Sequence, residues 1–319
     1  MTKKNVIISA ILAVLFVATL CVATFLDLKI SLAIGVKDSV FGQFFDKLGE
    51  VPTFVGVAVS ALIICQALRK TNKFYKWLKP ILLLLTYAGF FLLCRYFAEQ
   101  FFAEIKWVYL YIAVFALVLS VAAVLLTNRV DKVVMEKLLF FAAVIAIAVL
   151  IAQCLNLALN AMWTRQRFRN LAAGNYPGGS TEGFNPWYKP AFGKNDPSAL
   201  FTDAEGKEDS DAYNSFVNAQ TLGVTAAFSV IVLPDLFEKL RKYKVWFFVA
   251  PIILTVMTAI ANIINRNAYL SDVLFAAAIG VGCVYIAKII SRLMLKKSRV
   301  IASALASIDN ADVIKEEAE

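Results

Sequence analysis

Residues 138–162 read LLFFAAVIAIAVLIAQCLNLALNAM, a stretch without a single charged side chain. A helix needs about 20 mostly apolar residues to cross the hydrocarbon core of a bilayer, so this stretch predicts a transmembrane helix. Seven further apolar runs meet or approach that length, near residues 5–26, 51–68, 80–98, 107–127, 214–233, 245–264 and 273–290. The sequence therefore predicts an all-α fold, a polytopic membrane helix bundle of about eight transmembrane helices.

The composition of the chain is that of a membrane protein. Hydrophobic residues make up 60% of it and charged residues 17%, and the mean hydropathy is +0.71. These values lie outside the usual composition of a soluble globular domain. The net charge of +9 comes from short basic clusters between apolar runs, without the basic stripe of a nucleic-acid-binding surface. We therefore expect membrane lipids as partners and no nucleic acid.

Lysine and arginine are concentrated in alternate loops. Segment 69–79 carries five basic residues and no acidic one. Because cytoplasmic loops are enriched in Lys and Arg, the pattern predicts that loops 69–79, 128–137 and 234–244 and both termini are cytoplasmic. If the source is bacterial, we expect the protein in the cytoplasmic membrane. Lys3 and Lys4 also fit a signal peptide, but the apolar run after them exceeds a typical signal-peptide core, which favours an uncleaved anchor.

Cysteine and histidine usage excludes several kinds of site. The five cysteines all fall in apolar runs and show no CxxC spacing, so we expect free packing residues and neither a disulfide framework nor a metal site. Histidine is absent from the chain, which excludes imidazole as a metal ligand, acid, base or nucleophile. We expect no cofactor.

Two predicted outward segments are too long to be simple turns. Segment 27–50 mixes charge with Phe41, Phe44 and Phe45, a spacing that indicates a short helix in the membrane interface. Segment 164–213 is rich in Gly, Pro, Asn and Asp and predicts a cap made mostly of turns. The chain is thus expected to divide into N-terminal transmembrane helices with the interfacial segment, a helical core with the long outward loop 164–213, and a cytoplasmic tail, at residues 1–137, 138–290 and 291–319.

Three of the predicted outward-facing stretches carry polar and aromatic residues at defined spacings. The first runs from Asn160 to Phe168 and contains Trp163, Arg165 and Arg167. The second follows a loop with the pair Trp187-Tyr188 and reads Ser215-Phe216-Val217-Asn218-Ala219-Gln220-Thr221. The third runs from Ala261 to Asp272 and contains Asn262, Asn265, Arg266, Ala268 and Ser271.

In this order the three stretches resemble the signature regions KxxxxxxRP, PSGH and SRxxxxxHxxxD of the type 2 phosphatidic acid phosphatase family, which shares its fold with vanadium haloperoxidases. The resemblance covers roughly residues 150–290. Among the motif positions that bear on the chemistry, only Arg167 and Asp272 keep the family residue. The full set of degenerate positions is Asn160, Arg167, Asn218, Ala219, Gln220, Asn262, Ala268 and Asp272.

The resemblance implies a phosphatase whose third-region histidine attacks phosphorus and whose second-region histidine protonates the leaving group. Ala268 stands at the first of these positions and has no nucleophilic atom, and Gln220 stands at the second and has no proton to give near neutral pH. We therefore expect a catalytically inactive protein that binds lipid phosphates or isoprenoid pyrophosphates. The expected ligand residues are Asn160, Arg167, Gln220, Asn262, Arg266 and Asp272.

Other interpretations of the same residues stay open. The amides could satisfy one another inside the bundle, which the sequence slightly favours, and Asp272 could cap a helix or pair with Arg266. Asp272 or Ser271 could serve as an unconventional nucleophile in an active lipid phosphate phosphatase. A lipid transporter or scramblase-like protein could use the outward polar cavity as a lipid path. The sequence does not predict an oligomeric state.

Overall fold

The computed structural model confirms an all-helical membrane architecture. It describes residues 3–36, 39–68, 75–102, 105, 107–172, 184–192, 201–202, 208–209, 211–296 and 303. Within these residues, eight helical segments are long and apolar enough to cross a membrane. They are Ala13–Ile34, Val40–Ala67, Lys76–Ala98, Val108–Thr127, Lys132–Leu171, Ala219–Leu236, Glu238–Ile264 and Leu270–Leu295. Helices can cross the hydrocarbon core of a bilayer because their backbone polar groups are hydrogen-bonded within the helix. The orientation of the termini stays a prediction.

The helices α1–α10 follow one another along the chain with short links between most of them. Their bounds are α1 Lys3–Ile34, α2 Val40–Ala67, α3 Tyr75–Phe102, α4 Val108–Thr127, α5 Lys132–Trp163, α6 Phe168–Ala172, α7 Ala219–Val224, α8 Leu233–Leu236, α9 Lys244–Ile264 and α10 Leu270–Leu295. The described residues also contain 3₁₀ helices at Thr225–Val232 and Glu238–Tyr243. The sixth membrane span is therefore composite, because α7, the first 3₁₀ helix and α8 follow each other without a break.

The segment 27–50 differs from its prediction. The chain does not leave the first helix near Asp27, since α1 continues to Ile34 and α2 begins at Val40. The predicted interfacial helix is the first part of α2, where the ring of Phe45 packs against that of Phe41 at a centroid distance of 4.9 Å. The physical reason is that Asp27 is buried and ion-paired, so its charge does not end the apolar helix.

The long loop contains more regular structure than the turns predicted for it. α6 lies near its start, and strands β1 (Phe201–Thr202) and β2 (Glu208–Asp209) form an antiparallel pair with Phe201 opposite Asp209. Two stretches of the loop with turn-forming residues, Tyr176-Pro177-Gly178-Gly179 and Asn195-Asp196-Pro197, lie outside the described residues. Of the predicted tail, α10 occupies the start up to Leu295, and only residues 296 and 303 are described beyond it.

The chain forms two compact units. Unit 1 consists of Met1–Gly49, Ala152–Leu222 and Ile253–Gly280, and unit 2 of Glu50–Ile151, Gly223–Ile252 and Val281–Glu319. A buried cluster of unit 1 contains Phe168, Leu171 and Tyr269, and another contains Ile263, Ala268 and Val273. The largest apolar cluster described in unit 2 joins Phe140, Val144, Ala148, Phe228, Val232, Leu236, Val284 and Ala287. The sequence segments 1–137, 138–290 and 291–319 stay predictions.

A glycine lets α2 and α3 approach closely within unit 2. A Cβ atom added at Gly89 would lie 2.8 Å from the carbonyl oxygen of Phe54 and 2.9 Å from the Cβ of Ala58. Such small-residue contacts provide much of the packing between helices in a membrane, where lipid is as apolar as the helix surface.

We predict that Gly89→Ala lowers the free energy of unfolding by about 1–3 kcal/mol, because the added methyl group forces α2 and α3 apart. Unfolding in mixed dodecyl maltoside and SDS micelles measures the change. The matched control is Gly282→Ala, since a Cβ there meets nothing within 4 Å. This control should leave stability unchanged or raise it by up to about 1 kcal/mol. Equal losses in both variants would contradict the close approach.

Candidate functional site

Arg165 lies at the centre of unit 1 with no exposed surface. Its Nη2 contacts Oδ2 of Asp27 at 2.9 Å, and its Nη1 contacts Oδ1 of Asp272 at 2.5 Å. Nη1 also donates to Oγ of Ser271 at 2.8 Å. We call Asp27, Arg165 and Asp272 the buried ion triad. It joins α1, the link that follows α5, and the start of α10.

The two carboxylates of the triad are satisfied by further donors. Oδ2 of Asp272 accepts from Oγ of Ser215 at 2.5 Å and from the backbone N–H of Tyr269 at 3.0 Å. Oδ1 of Asp27 accepts from the backbone N–H of Ser271 at 3.0 Å. Asp272 thus reaches back to the residue before α10, as in a capping box, and both carboxylates sit at the positive end of that helix. The proposed cap role of Asp272 is present, whereas its ion-pair partner is Arg165 and not Arg266.

Aromatic rings close the triad from the side. The guanidinium carbon of Arg165 lies 4.0 Å from the centroid of the Tyr269 ring and 5.2 Å from that of Phe184. Burial raises the pKa of Tyr269 above its ordinary value, and the positive charge of Arg165 opposes this only in part. The phenol therefore stays neutral, and the ring serves as a face for the cation.

Three of the predicted amide residues form a hydrogen-bonded group. Nδ2 of Asn218 donates to Oδ1 of Asn262 at 2.9 Å and to Oε1 of Gln220 at 3.1 Å. Oδ1 of Asn218 accepts from the backbone N–H of Thr221 at 2.7 Å and so caps α7. Nδ2 of Asn262 donates to the carbonyl of Thr258 at 3.0 Å. These hydrogen bonds agree with the interpretation in which the amides satisfy one another inside the bundle.

The remaining uncharged motif positions have local roles. Asn160 donates from Nδ2 to Oδ1 of Asn156, one turn earlier on α5, at 2.9 Å. Ala219 begins α7. Ala268 is fully buried, and its backbone N–H donates to the carbonyl of Asn262 at 3.2 Å. The methyl group of Ala268 is therefore packed inside the protein, and its backbone is bonded to that of Asn262.

Arg167, two residues after Arg165, is also buried. Its backbone N–H donates to the carbonyl of Ala212 at 2.8 Å, and its guanidinium lies 4.0 Å from Oδ2 of Asp211, which is 61% exposed. Asp46 interacts electrostatically with both Arg167 and Arg169. The charge that the motif predicts at Arg167 is therefore present but partly neutralised.

Arg169 and Arg266 meet through the backbone. The N–H of Arg169 donates to the carbonyl of Arg266 at 2.7 Å, and Nη1 of Arg169 donates to Oδ1 of Asn267 at 2.9 Å. Arg266 has a left-handed φ of 62°, and its Nη2 donates to the carbonyl of Gly35 at 3.0 Å. We call Arg167, Arg169 and Arg266 the arginine cluster.

The aromatic residues that flank the three motifs pack together. Nε1 of Trp163 donates to the carbonyl of Trp187 at 2.5 Å, and Nε1 of Trp187 donates to Oγ1 of Thr24 at 3.1 Å. Trp163 also stacks on Phe216 with centroids 4.7 Å apart. These contacts join two chain segments of unit 1, Met1–Gly49 and Ala152–Leu222.

Arginines and aspartates of unit 1 form several electrostatic contacts. Arg165 pairs with Asp27 and Asp272, Arg167 lies near Asp211, and Asp46 interacts with both Arg167 and Arg169. Within the described residues, no group of three or more His, Cys, Asp or Glu is arranged to hold a metal ion.

Sequence reasoning missed Asp27, and with it the role of Arg165. The available signal was a carboxylate at the end of an apolar run, because ionisable residues within membrane helices are rare and are paired. Comparison of the chain with protein-family models, with characterised proteins and with solved structures finds no match. The function must therefore be argued from the site itself.

We predict that Arg165→Leu lowers the free energy of unfolding by about 3–5 kcal/mol, because it leaves two carboxylates buried without a counter-charge. Asp211→Asn is the matched control, since it alters an arginine contact at an exposed carboxylate and should change stability by less than about 1 kcal/mol. Unfolding in mixed micelles measures both.

A triple variant sharpens this test. Adding Asp27→Asn and Asp272→Asn to Arg165→Leu removes the buried charges together, so part of the lost stability should return. If the two aspartate substitutions lowered the stability of the Arg165→Leu variant further, by the amounts that they cost individually, the ion triad would not be the source of the effect.

Proposed function

We propose that this polytopic membrane protein has the architecture of the type 2 phosphatidic acid phosphatase family, lacks phosphatase activity, and binds lipid phosphates. Contacts among the three motif stretches, between Arg165 and Asp272 and between Asn218 and Asn262, support the first part. The environment of Asp272 carries the second part. In the family this aspartate orients a histidine, and here its carboxylate is bound by Arg165, Ser215 and the N–H of Tyr269. The guanidinium of Arg165 therefore binds the carboxylate that would orient the histidine in the family's phosphatase reaction.

The other motif positions support the loss of the reaction. The buried methyl group of Ala268 offers no nucleophile. Gln220 accepts a hydrogen bond from Asn218 and has no acidic proton for a leaving group. Phosphoryl transfer depends on positive charge at the phosphate oxygens, and Asn262 replaces one such charge with an amide held by its own helix.

An unconventional nucleophile is disfavoured by burial. Asp272 and Ser271 are both fully buried. Oγ of Ser271 donates to Oδ2 of Asp27 at 2.5 Å, and both carboxylate oxygens of Asp272 accept bonds. Either group would have to leave the ion triad before it could contact a substrate, which would expose uncompensated buried charge.

The arginine cluster supports the choice of ligand. Guanidinium groups match phosphate oxygens with paired N–H donors and are the preferred side chains for such recognition. Asp211 lies 4.0 Å from the guanidinium of Arg167, the outer limit of an ion pair, and is mostly exposed. An incoming phosphate would compete with Asp211 and with the electrostatic interaction of Asp46. A lipid headgroup phosphate or an isoprenoid pyrophosphate has the required chemistry.

We predict that the purified protein releases no inorganic phosphate from dioctanoyl phosphatidate or farnesyl pyrophosphate above a protein-free blank, because the nucleophile and the general acid are both missing. A malachite green assay at several pH values measures this. Turnover that disappears in Asp272→Asn would contradict the inactive interpretation.

We predict that binding of dioctanoyl phosphatidate weakens about tenfold in Arg167→Gln and in Arg169→Gln, since each variant removes a charge-assisted hydrogen bond to phosphate. Isothermal titration in detergent measures the affinity. Lys132→Gln is the control, because Lys132 is 80% exposed at the start of α5. Equal binding of dioctanoyl phosphatidylcholine, or an equal loss in the control, would contradict a phosphate site at the arginine cluster.

A further inference from the structure

A groove in unit 2 is separate in its residues from the arginine cluster. It lies between α2, α3 and α4 and has a volume of about 390 Å³. This volume is at the small end of the range of about 300–1,000 Å³ that holds small molecules. A helix is about 10 Å across, so the groove is too small to receive one from a partner protein.

One end of the groove is polar. Gln66 near the end of α2, Lys79 near the start of α3 and Asn128 directly after α4 all line it. Because α3 and α4 are antiparallel neighbours, Lys79 and Asn128 belong to the same end of this hairpin. An ammonium group and two amides offer N–H donors to a small anionic group, and the single positive charge matches a monoanion.

The remainder of the groove is apolar. Leu117, Val121 and Leu125 of α4 form one wall. Three hydroxyl groups also line it, those of Thr86, Tyr87 and Ser120. Thr86 donates to the carbonyl of Leu82 at 2.9 Å, and Ser120 donates to that of Ala116 at 2.7 Å. The polarity of Thr86 and Ser120 is therefore satisfied within their own helices, and Tyr87 adds one phenol to a mainly apolar wall.

The length of the groove fits one leaflet. At 1.5 Å per residue, the helical stretch from Lys79 to Tyr87 is about 12 Å long and that from Leu117 to Asn128 about 16 Å. Half of a hydrocarbon core is about 15 Å. A chain that starts at the polar end therefore runs along the groove for about the depth of one leaflet.

We propose that this groove binds a long-chain fatty acid, with its carboxylate at Lys79, Gln66 and Asn128 and its acyl chain along α4. The charge selects a monoanionic headgroup, and the volume selects a single chain. The site requires no covalent step and is independent of the phosphate site proposed above, because the two share no residue.

The test is equilibrium binding of radiolabelled palmitate to the full-length protein in detergent, by scintillation proximity. We expect one saturable site, with hexadecanol a competitor about fivefold weaker than unlabelled palmitate because it lacks the charge. Val121→Trp and Leu117→Trp should each weaken palmitate binding at least about tenfold, since the indole displaces several methylene groups. Both positions are more than half exposed, so the helix packing should survive.

Matched controls lie on the same helices. Val118→Trp adds an indole at a position that is 57% exposed and does not line the groove, and Lys76→Gln removes a charge one turn before Lys79. Both should bind palmitate like the wild type, whereas Lys79→Gln should bind it about fivefold more weakly. Equal effects of Val118→Trp and Val121→Trp, equal effects of Lys76→Gln and Lys79→Gln, or hexadecanol competing as well as palmitate would overturn the proposal.

Discussion

A guanidinium without exposed surface needs counter-charge, and Asp27 and Asp272 supply it to Arg165 from two different helices. The desolvation of three ionised groups is compensated only because hydroxyls, backbone N–H groups and an aromatic face complete their coordination. This requirement constrains α1, the link after α5 and the start of α10 at the same time. A small rotation of any of them would leave a buried charge without its partner.

The same constraint limits what the neighbouring polar residues can do. With Asp272 held by Arg165, the motif positions around it are left with amides that bond to one another and to nearby backbone groups. Preorganised amides of this kind maintain helix contacts in a membrane and are poor at stabilising a developing dianion. The function that we propose for unit 1 is therefore binding by the arginine cluster, without bond cleavage.

Much of the fold could be predicted because crossing a membrane depends on apolar length, which is a property of contiguous sequence. The resemblance to the three motif regions implied that Asn218, Gln220 and Asn262 lie near one another, and they form hydrogen bonds. The partnership of Asp27 with Arg165 could not be found in this way, since the two residues are 138 positions apart and neither spacing nor hydropathy links them. The predicted end of the first membrane span near Asp27 was wrong for the same reason. A charged residue can lie within a membrane span when a partner of opposite charge neutralises it.

The 3₁₀ stretch Thr225–Val232 affects how far the sixth span can reach. Ala219–Leu236 has only 18 residues, and as a regular α-helix it would extend about 27 Å, short of a hydrocarbon core of about 30 Å. A 3₁₀ helix rises about 2.0 Å per residue, so this stretch covers about 16 Å and brings the whole span to about 31 Å. The 3₁₀ stretch therefore lengthens this span, which has the fewest residues of the eight described. The span can match the thickness of the bilayer without thinning the lipid around it.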